Sequence, residues 1–308
     1  MEKKSSYRRT IMRRVKIITD SCSDLYPALI EKYDIDYAKM STVHDGTQHP
    51  ALLEWSEDDV HRFYNIMRNG GRITTAQVSV EEFRRIFKKY LDAGYDIIYI
   101  GCSLKQSGSV NTASVVADKM MREYPEAKIF CIDSQNASIG EGMLAIEAAK
   151  MAKEAISSVD IANRIVQMRK NVNQFATVHS LDSLKKAGRV TASSAFFGNL
   201  MGVKPILISD AEGAQAAIKK IKGRDASLRE IVFMLKAAIK DEKDTSVYIA
   251  HADCALDEVQ KVVDFVKAEI KCADICVGYI GPIIGASVGP DAIGVWAFGE
   301  KVTFCASK

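Results

Sequence analysis

Apolar residues along this chain follow two periods in alternation, one of two residues and one near 3.6. Residues 15–19 (Val-Lys-Ile-Ile-Thr) form a β-branched run that halts at Asp20-Ser21-Cys22-Ser23-Asp24, after which Leu25, Leu29 and Ile30 recur at helical spacing. This predicts strand, loop and helix. An extended run at 35–43 and a helix over 56–67 follow. Ser79-Val80-Glu81-Glu82 has the form of a capping box and opens a helix whose Phe83, Ile86, Phe87, Tyr90 and Leu91 share one face. The pattern then predicts strands at 96–100 and 127–133 and helices over 107–123 and 139–155. Strands and helices alternating at this spacing imply right-handed βαβ units and a parallel sheet buried on both faces.

Beyond a helix over 160–171 the texture changes. Strands are predicted at 175–179, 204–208 and 215–221, the last two flanking a hairpin turn at 209–213, and a short helix over 181–186 ends at Gly188. Helices over 226–240 and 256–270, with strands at 246–250, 275–280 and 294–298, complete a second α/β unit. At 308 residues the chain exceeds the size at which one core stops growing. We therefore expect a disordered basic tail over 1–14, an N-terminal α/β domain over 15–172 and a C-terminal α/β domain over 173–308.

Charge changes this picture little. The net charge is +3, and beyond the opening segment the cations are scattered, which points away from nucleic acid. No run approaches the roughly 18 apolar residues of a membrane-spanning helix, and the basic opening segment lacks the apolar stretch of a signal peptide. A soluble, cytoplasmic protein is expected, with at most transient contact with a membrane surface. The seven cysteines (Cys22, Cys102, Cys131, Cys254, Cys272, Cys276, Cys305) are odd in number and contain no C-x-x-C pair, so reduced, buried thiols are expected. Cys272 and Cys276 are spaced like half of a metal site that nothing completes, and no metal or cofactor is expected.

Ligands of open α/β sheets lie beyond the carboxyl ends of the strands, beside helix N-termini. Hydroxyls cluster at four such places: Ser21 and Ser23; Thr74 and Thr75; Ser103 with Ser107-Gly108-Ser109; and Ser134. The second and third suit a carboxylate, because a hydroxyl and adjacent N–H groups can satisfy its oxygens without a cation. Helix capping is the competing role for each. Gly108 favours a ligand, since the missing side chain permits close approach of the backbone. Lys185, Lys186 and Arg189 form either a phosphate site or a solvated helix end. Gly285-Ala286-Ser287-Val288-Gly289 matches the nucleophile elbow of serine esterases and lipases, yet the residues that follow read as a strand rather than a helix, and no histidine lies downstream.

Seven ordered segments carry a resemblance: Ile18-Thr-Asp-Ser-Cys-Ser-Asp-Leu25, Thr75-Ala-Gln-Val-Ser79, Ser103 through Ser107-Gly108-Ser109, Ile132-Asp-Ser134, Leu184-Lys-Lys-Ala-Gly-Arg-Val190, Val203-Lys-Pro-Ile206, and Gly281-Pro-Ile-Ile-Gly285 through Gly289-Pro290. From about residue 15 to its end the chain resembles the bacterial DegV family. The resemblance implies a two-domain fold, an N-terminal Rossmann-like parallel-sheet domain and a C-terminal mixed-sheet domain, with a ligand tunnel between them. It implies a lipid-binding protein rather than an enzyme. Its ligand would be one long-chain fatty acid such as palmitate, stearate or oleate, and its partner a fatty-acid kinase that phosphorylates the carboxylate. By position, carboxylate binding falls on Thr75 and on Ser107, Gly108 and Ser109, with Ser21, Ser103 and Ser134 in supporting loops and Lys185, Lys186 and Arg189 available for docking the kinase. Ser287 stands where the family usually has histidine and Asp291 where it has glycine; Ala76 and Val78 also depart from the pattern. A regulatory protein whose lipid is structural is the third reading.

Overall fold

The computed structural model describes residues 13–192 and 202–306. Most of the expected tail lies outside this range, but its end does not: Arg14 begins the first strand, its guanidinium stacked over Tyr95, and Arg13 pairs with Asp96.

The parallel sheet has the order β2 (Asp36–Ala38), β1 (Arg14–Asp20), β6 (Tyr95–Gly101), β7 (Ile129–Asp133). All its pairs are parallel. Because side chains alternate across a strand, β6 sends Ile97 and Tyr99 to one face and Ile98 and Ile100 to the other. The first pair packs with α3 (Val80–Asp92) and α4 (Ser109–Glu123), the second with α5 (Ile139–Lys153) and α6 (Ser158–Met168).

The extended run expected at 35–43 is two strands in two sheets. After β2 the chain turns at Met40, whose N–H donates to the Ser21 hydroxyl (3.0 Å), and β3 (Ser41–His44) joins β4 (Thr47–Pro50) and β5 (Thr74–Ala76) in a small antiparallel sheet. The capping box expected at Ser79 is half made. Its hydroxyl accepts from Glu82 N–H, but the Glu82 carboxylate turns to Lys39 N–H and Arg85. A complete box instead opens α2 (Glu57–Arg68), between Ser56 and Asp59.

The second sheet is mixed, in the order β10 (Gln215–Lys222), β9 (Val203–Ser209), β8 (Val172–Thr177), β13 (Ile293–Phe298), β11 (Ser246–His251), β12 (Asp274–Tyr279). Only β11 and β12 run parallel. One face packs on α8 (Arg224–Ala238) and α9 (Leu256–Glu269) through Leu228, Ile231, Val247 and Val295. The opposite face turns to the parallel sheet, with α5 between the two. That helix has 11 of its 15 residues buried and no polar stripe, as a helix covered on all sides must. Two short helices, α7 (Asp182–Ala187) and α10 (Pro282–Val288), stand at one end of the inner face. Among the described residues no helix is long and apolar enough to cross a membrane.

Candidate functional site

The parallel sheet changes direction between β1 and β6, where β2 adds on one side and β7 on the other, and a crevice at the carboxyl ends of such strands is the usual ligand position. A cavity of about 300 Å³ opens there. Cys22 and Cys102, each just past its strand, form part of its floor, with Met40, Ala137 and Ser138. The inner face of the mixed sheet supplies Gln174, Ala176, Val178, Leu207 and Trp296, α10 supplies Ile283, Ile284 and Ser287, and α7 supplies Leu184. Its volume sits at the small end of ligand sites.

Buried carboxyls without a cationic partner among the described residues underlie this floor. Asp20 accepts from Tyr99 Oη (2.6 Å) and Cys22 N–H (2.8 Å), and burial raises its pKa. Asp24 accepts from the Ser138 hydroxyl (2.5 Å) and Gly281 N–H (2.9 Å), joining the β1 loop to the starts of α5 and α10; burial pushes it up to about 8. Glu141 accepts from the Thr19 hydroxyl at Oε1 (2.7 Å), its Oε2 has no partner among the described residues, and burial holds it well above the carboxylate range. A hydrogen bond with Cys102, and then burial, keeps the Cys22 thiol protonated. Cys22, Cys102 and Cys254 are buried as expected, but Cys131, Cys272, Cys276 and Cys305 are partly exposed, because they stand on strands or loops that face outward.

The residues expected to bind a carboxylate divide into three groups. Thr75, Ser107, Gly108 and Ser287 all border the cavity. Thr75, however, lies within the edge strand β5, opposite Thr42, rather than beyond a strand of the parallel sheet. Its hydroxyl and that of Ser287 have no hydrogen-bond partner among the described residues. The Ser107 Oγ accepts from Ser109 N–H (3.2 Å) and lies 3.0 Å from Ser109 Oγ. Ser109 itself is buried behind Ser107 and takes Val78 N–H (3.3 Å), so it braces the site without touching the cavity. A Cβ at Gly108 would meet the Gln77 Oε1 at 2.3 Å, so the space left by this glycine holds the Gln77 carboxamide.

Ser21, Ser103 and Ser134 do not reach the cavity; each is fully buried and bonded to backbone. Ser21 ties Ala51 O to Met40 N–H, Ser103 accepts from Lys105 N–H, and Ser134 closes the turn at Asn136. Of the three cations, Arg189 borders the cavity and bonds Gln106 O (3.0 Å), while Lys185 and Lys186 stand exposed on α7. Thr75, Arg189 and Ser287 also border a second, more polar groove of about 760 Å³ with Arg72, Ser183 and Lys186. They form the rim where an apolar chamber meets a cationic one.

Ser287 lies in the last turn of α10, and Gly289 (φ 81°) leads out of that helix toward β13, the reverse of a strand-to-helix elbow. His251 is buried against Tyr279, accepts from Cys254 N–H and is lowered to about 4 by burial. Asp291 adopts a left-handed φ of 63° and pairs with Arg68, which also binds Asp253. Reading the sequence did not identify Gln174, Gln215, Trp296, Asp24 or Ser138 as cavity wall or support. The period-two spacing of Gln174, Ala176 and Val178 is the signal that marks one face of a strand.

Residues 14–300 match the profile of a family described as uncharacterised protein, DegV family. A DegV domain-containing protein of Clostridium perfringens is 30% identical over 94% of this chain and 99% of its own length. A fatty-acid-binding DegV family protein from Thermus thermophilus superposes with a TM-score of 0.84 at 24% identity, covering 93% of this chain and all of that one. A stearic-acid-binding protein from Eubacterium ventriosum gives 0.79 at 23% identity, over 92% and 98%.

Proposed function

As the chain belongs to the DegV family, we propose that it binds one long-chain fatty acid, palmitate, stearate or oleate in class, and presents the carboxylate to a partner kinase for conversion to an acyl phosphate. The observation that carries this reading is the rim. Apolar side chains from α7, α10 and the mixed sheet line the chamber behind it, unengaged hydroxyls of Thr75 and Ser287 stand on it, and the cationic groove lies in front. About 14 methylenes at roughly 0.8 kcal/mol each would supply about 11 kcal/mol of gross transfer free energy, so few polar contacts are needed beyond those that orient the head group. Thr75, Ser107 and Ser287 bind the carboxylate, with Gly108 and Ser109 shaping and bracing that turn. Arg189 is the cation that lines the chamber, and Lys185 and Lys186 on α7 meet the kinase. Among the described residues no base partners the Ser287 hydroxyl, and on this reading the chain carries the substrate.

Denaturing the purified protein and identifying the released lipid by mass spectrometry tests the reading. About one fatty acid per folded chain is expected, and folded protein that releases none would overturn it. An acyl-ester hydrolase assay separates the esterase alternative. Turnover abolished by Ser287→Ala would replace our reading with that one.

A further inference from the structure

Two neutral polar groups face into the otherwise apolar depth of the cavity. Gln174 and Gln215 line it while almost fully buried, at 6% and 8% exposure, and Trp296 lines it at 2%. The two carboxamides bond each other reciprocally, Gln174 Nε2 to Gln215 Oε1 at 2.7 Å and Gln215 Nε2 to Gln174 Oε1 at 3.3 Å. Each amide has two N–H groups and two acceptor lone pairs, so each keeps one donor and one acceptor site beyond this pair. Trp296 closes the wall beside them, its Nε1 inaccessible from the cavity and without a hydrogen-bond partner among the described residues. Its ring is held in place, since a Cβ at Gly294 would meet it at 2.6 Å and one at Gly140 at 3.1 Å.

The register places these groups deep. Ile293 pairs with Thr177 at the end of the mixed sheet that leads to α7 and α10, where the rim lies, and Trp296 pairs with Gln174 three residues further in. At about 3.3 Å per residue this is about 10 Å along the strands. A saturated chain passing here would cover the spare amide groups without satisfying them, which a buried polar group tolerates poorly. A chain carrying an oxygen at mid-length would satisfy them.

We propose that the Gln174–Gln215 pair forms a polar subsite selecting a fatty acid with a mid-chain hydroxyl or oxo group over the saturated acid. The inference rests on the fatty-acid reading above and narrows its ligand class. Displacement of a fluorescent fatty acid by stearate and by a mid-chain hydroxystearate tests it on the intact protein. The hydroxy acid is expected to bind about tenfold more tightly, the worth of about one hydrogen bond. In Gln174→Leu/Gln215→Leu the preference should disappear. Stearate bound as tightly as the hydroxy acid by wild-type protein would overturn the subsite while leaving the fatty-acid reading intact. Displacement by neither acid would overturn that reading itself. The wild-type ratio decides even where the double variant does not fold.

Discussion

At the scale of single residues the rim divides into side chains that are free to bind and side chains already engaged. Thr75 has no hydroxyl partner to lose among the described residues, so Thr75→Ala should leave the melting temperature unchanged while removing a bond to the carboxylate. A hydrogen bond to a charged group is worth about 1.5–3 kcal/mol, or roughly ten- to a hundredfold in affinity. Thr75→Ser keeps the hydroxyl and should be mild. Ser107→Ala should weaken binding and also lower stability slightly, because the Ser107 Oγ accepts the Ser109 N–H at the start of α4. Fluorescent fatty-acid titration with thermal melts reads both quantities, and wild-type affinity in both alanine variants would refute the head-group site. That Thr75, Ser107 and Ser287 border the cavity was legible from the order of the segments that carry them. Gly108 was legible as special but for a different reason, since what fills its space is Gln77, 31 positions away in the chain and drawn there by Thr112. The polar subsite was not legible: Gln174 and Gln215 stand 41 positions apart and meet only when β8, β9 and β10 are aligned.

At the scale of elements α5 is the piece on which both sheets rest. Leu144 is fully buried within it, so Leu144→Ala should cost about 2–5 kcal/mol through lost burial and the cavity left behind. Leu256, at the start of α9 and 74% exposed, is the matched control, and Leu256→Ala should stay within about 0.5 kcal/mol. Urea denaturation compares them, and equal effects would contradict the central position of α5. Its length and apolar content were readable from residues 139–155, and so were the βαβ units, because long periodic segments record their own burial. Short elements do not. Residues 282–288 are an unbroken small and apolar run with no polar face, and what makes them helical is Pro282 in the first turn together with the Gly281 N–H bound to Asp24, 257 positions earlier. The strand expected at 175–179 in fact begins at Val172, since Asn173 and Gln174, polar enough to suggest a loop, find partners inside the fold.

At the scale of the whole molecule the buried carboxyls give folding a pH dependence of definite sign. Asp20, Asp24 and Glu141 all have raised pKa values, with desolvation the largest cause in each, so the folded chain keeps their protons to higher pH than the unfolded chain does. Stability from such a group is complete below its unfolded pKa and is lost as pH rises through the folded one; for Asp24 the window runs from 3.8 to about 8. His251 acts oppositely, lowered from 6.5 to about 4, so its contribution is present above 6.5 and lost as pH falls through that interval. The two trends offset each other on the acid side. From pH 6.5 towards 8 the carboxyls act without that offset, and stability should fall with rising pH, by at most about 1.4 kcal/mol per pH unit for each group that titrates. Asp24→Asn separates the Asp24 share, because an amide can accept from Gly281 N–H, donate to Ser138 and never ionise. The variant should match wild type in urea denaturation near pH 4 and become progressively the more stable of the two as pH rises towards 8. Parallel stability curves over this range would show that Asp24 is already ionised in the fold. Its proton also matters to the ligand: Ser138, which Asp24 holds, lines the cavity, and a neutral Asp24 beneath that wall leaves no added negative charge to repel an incoming carboxylate.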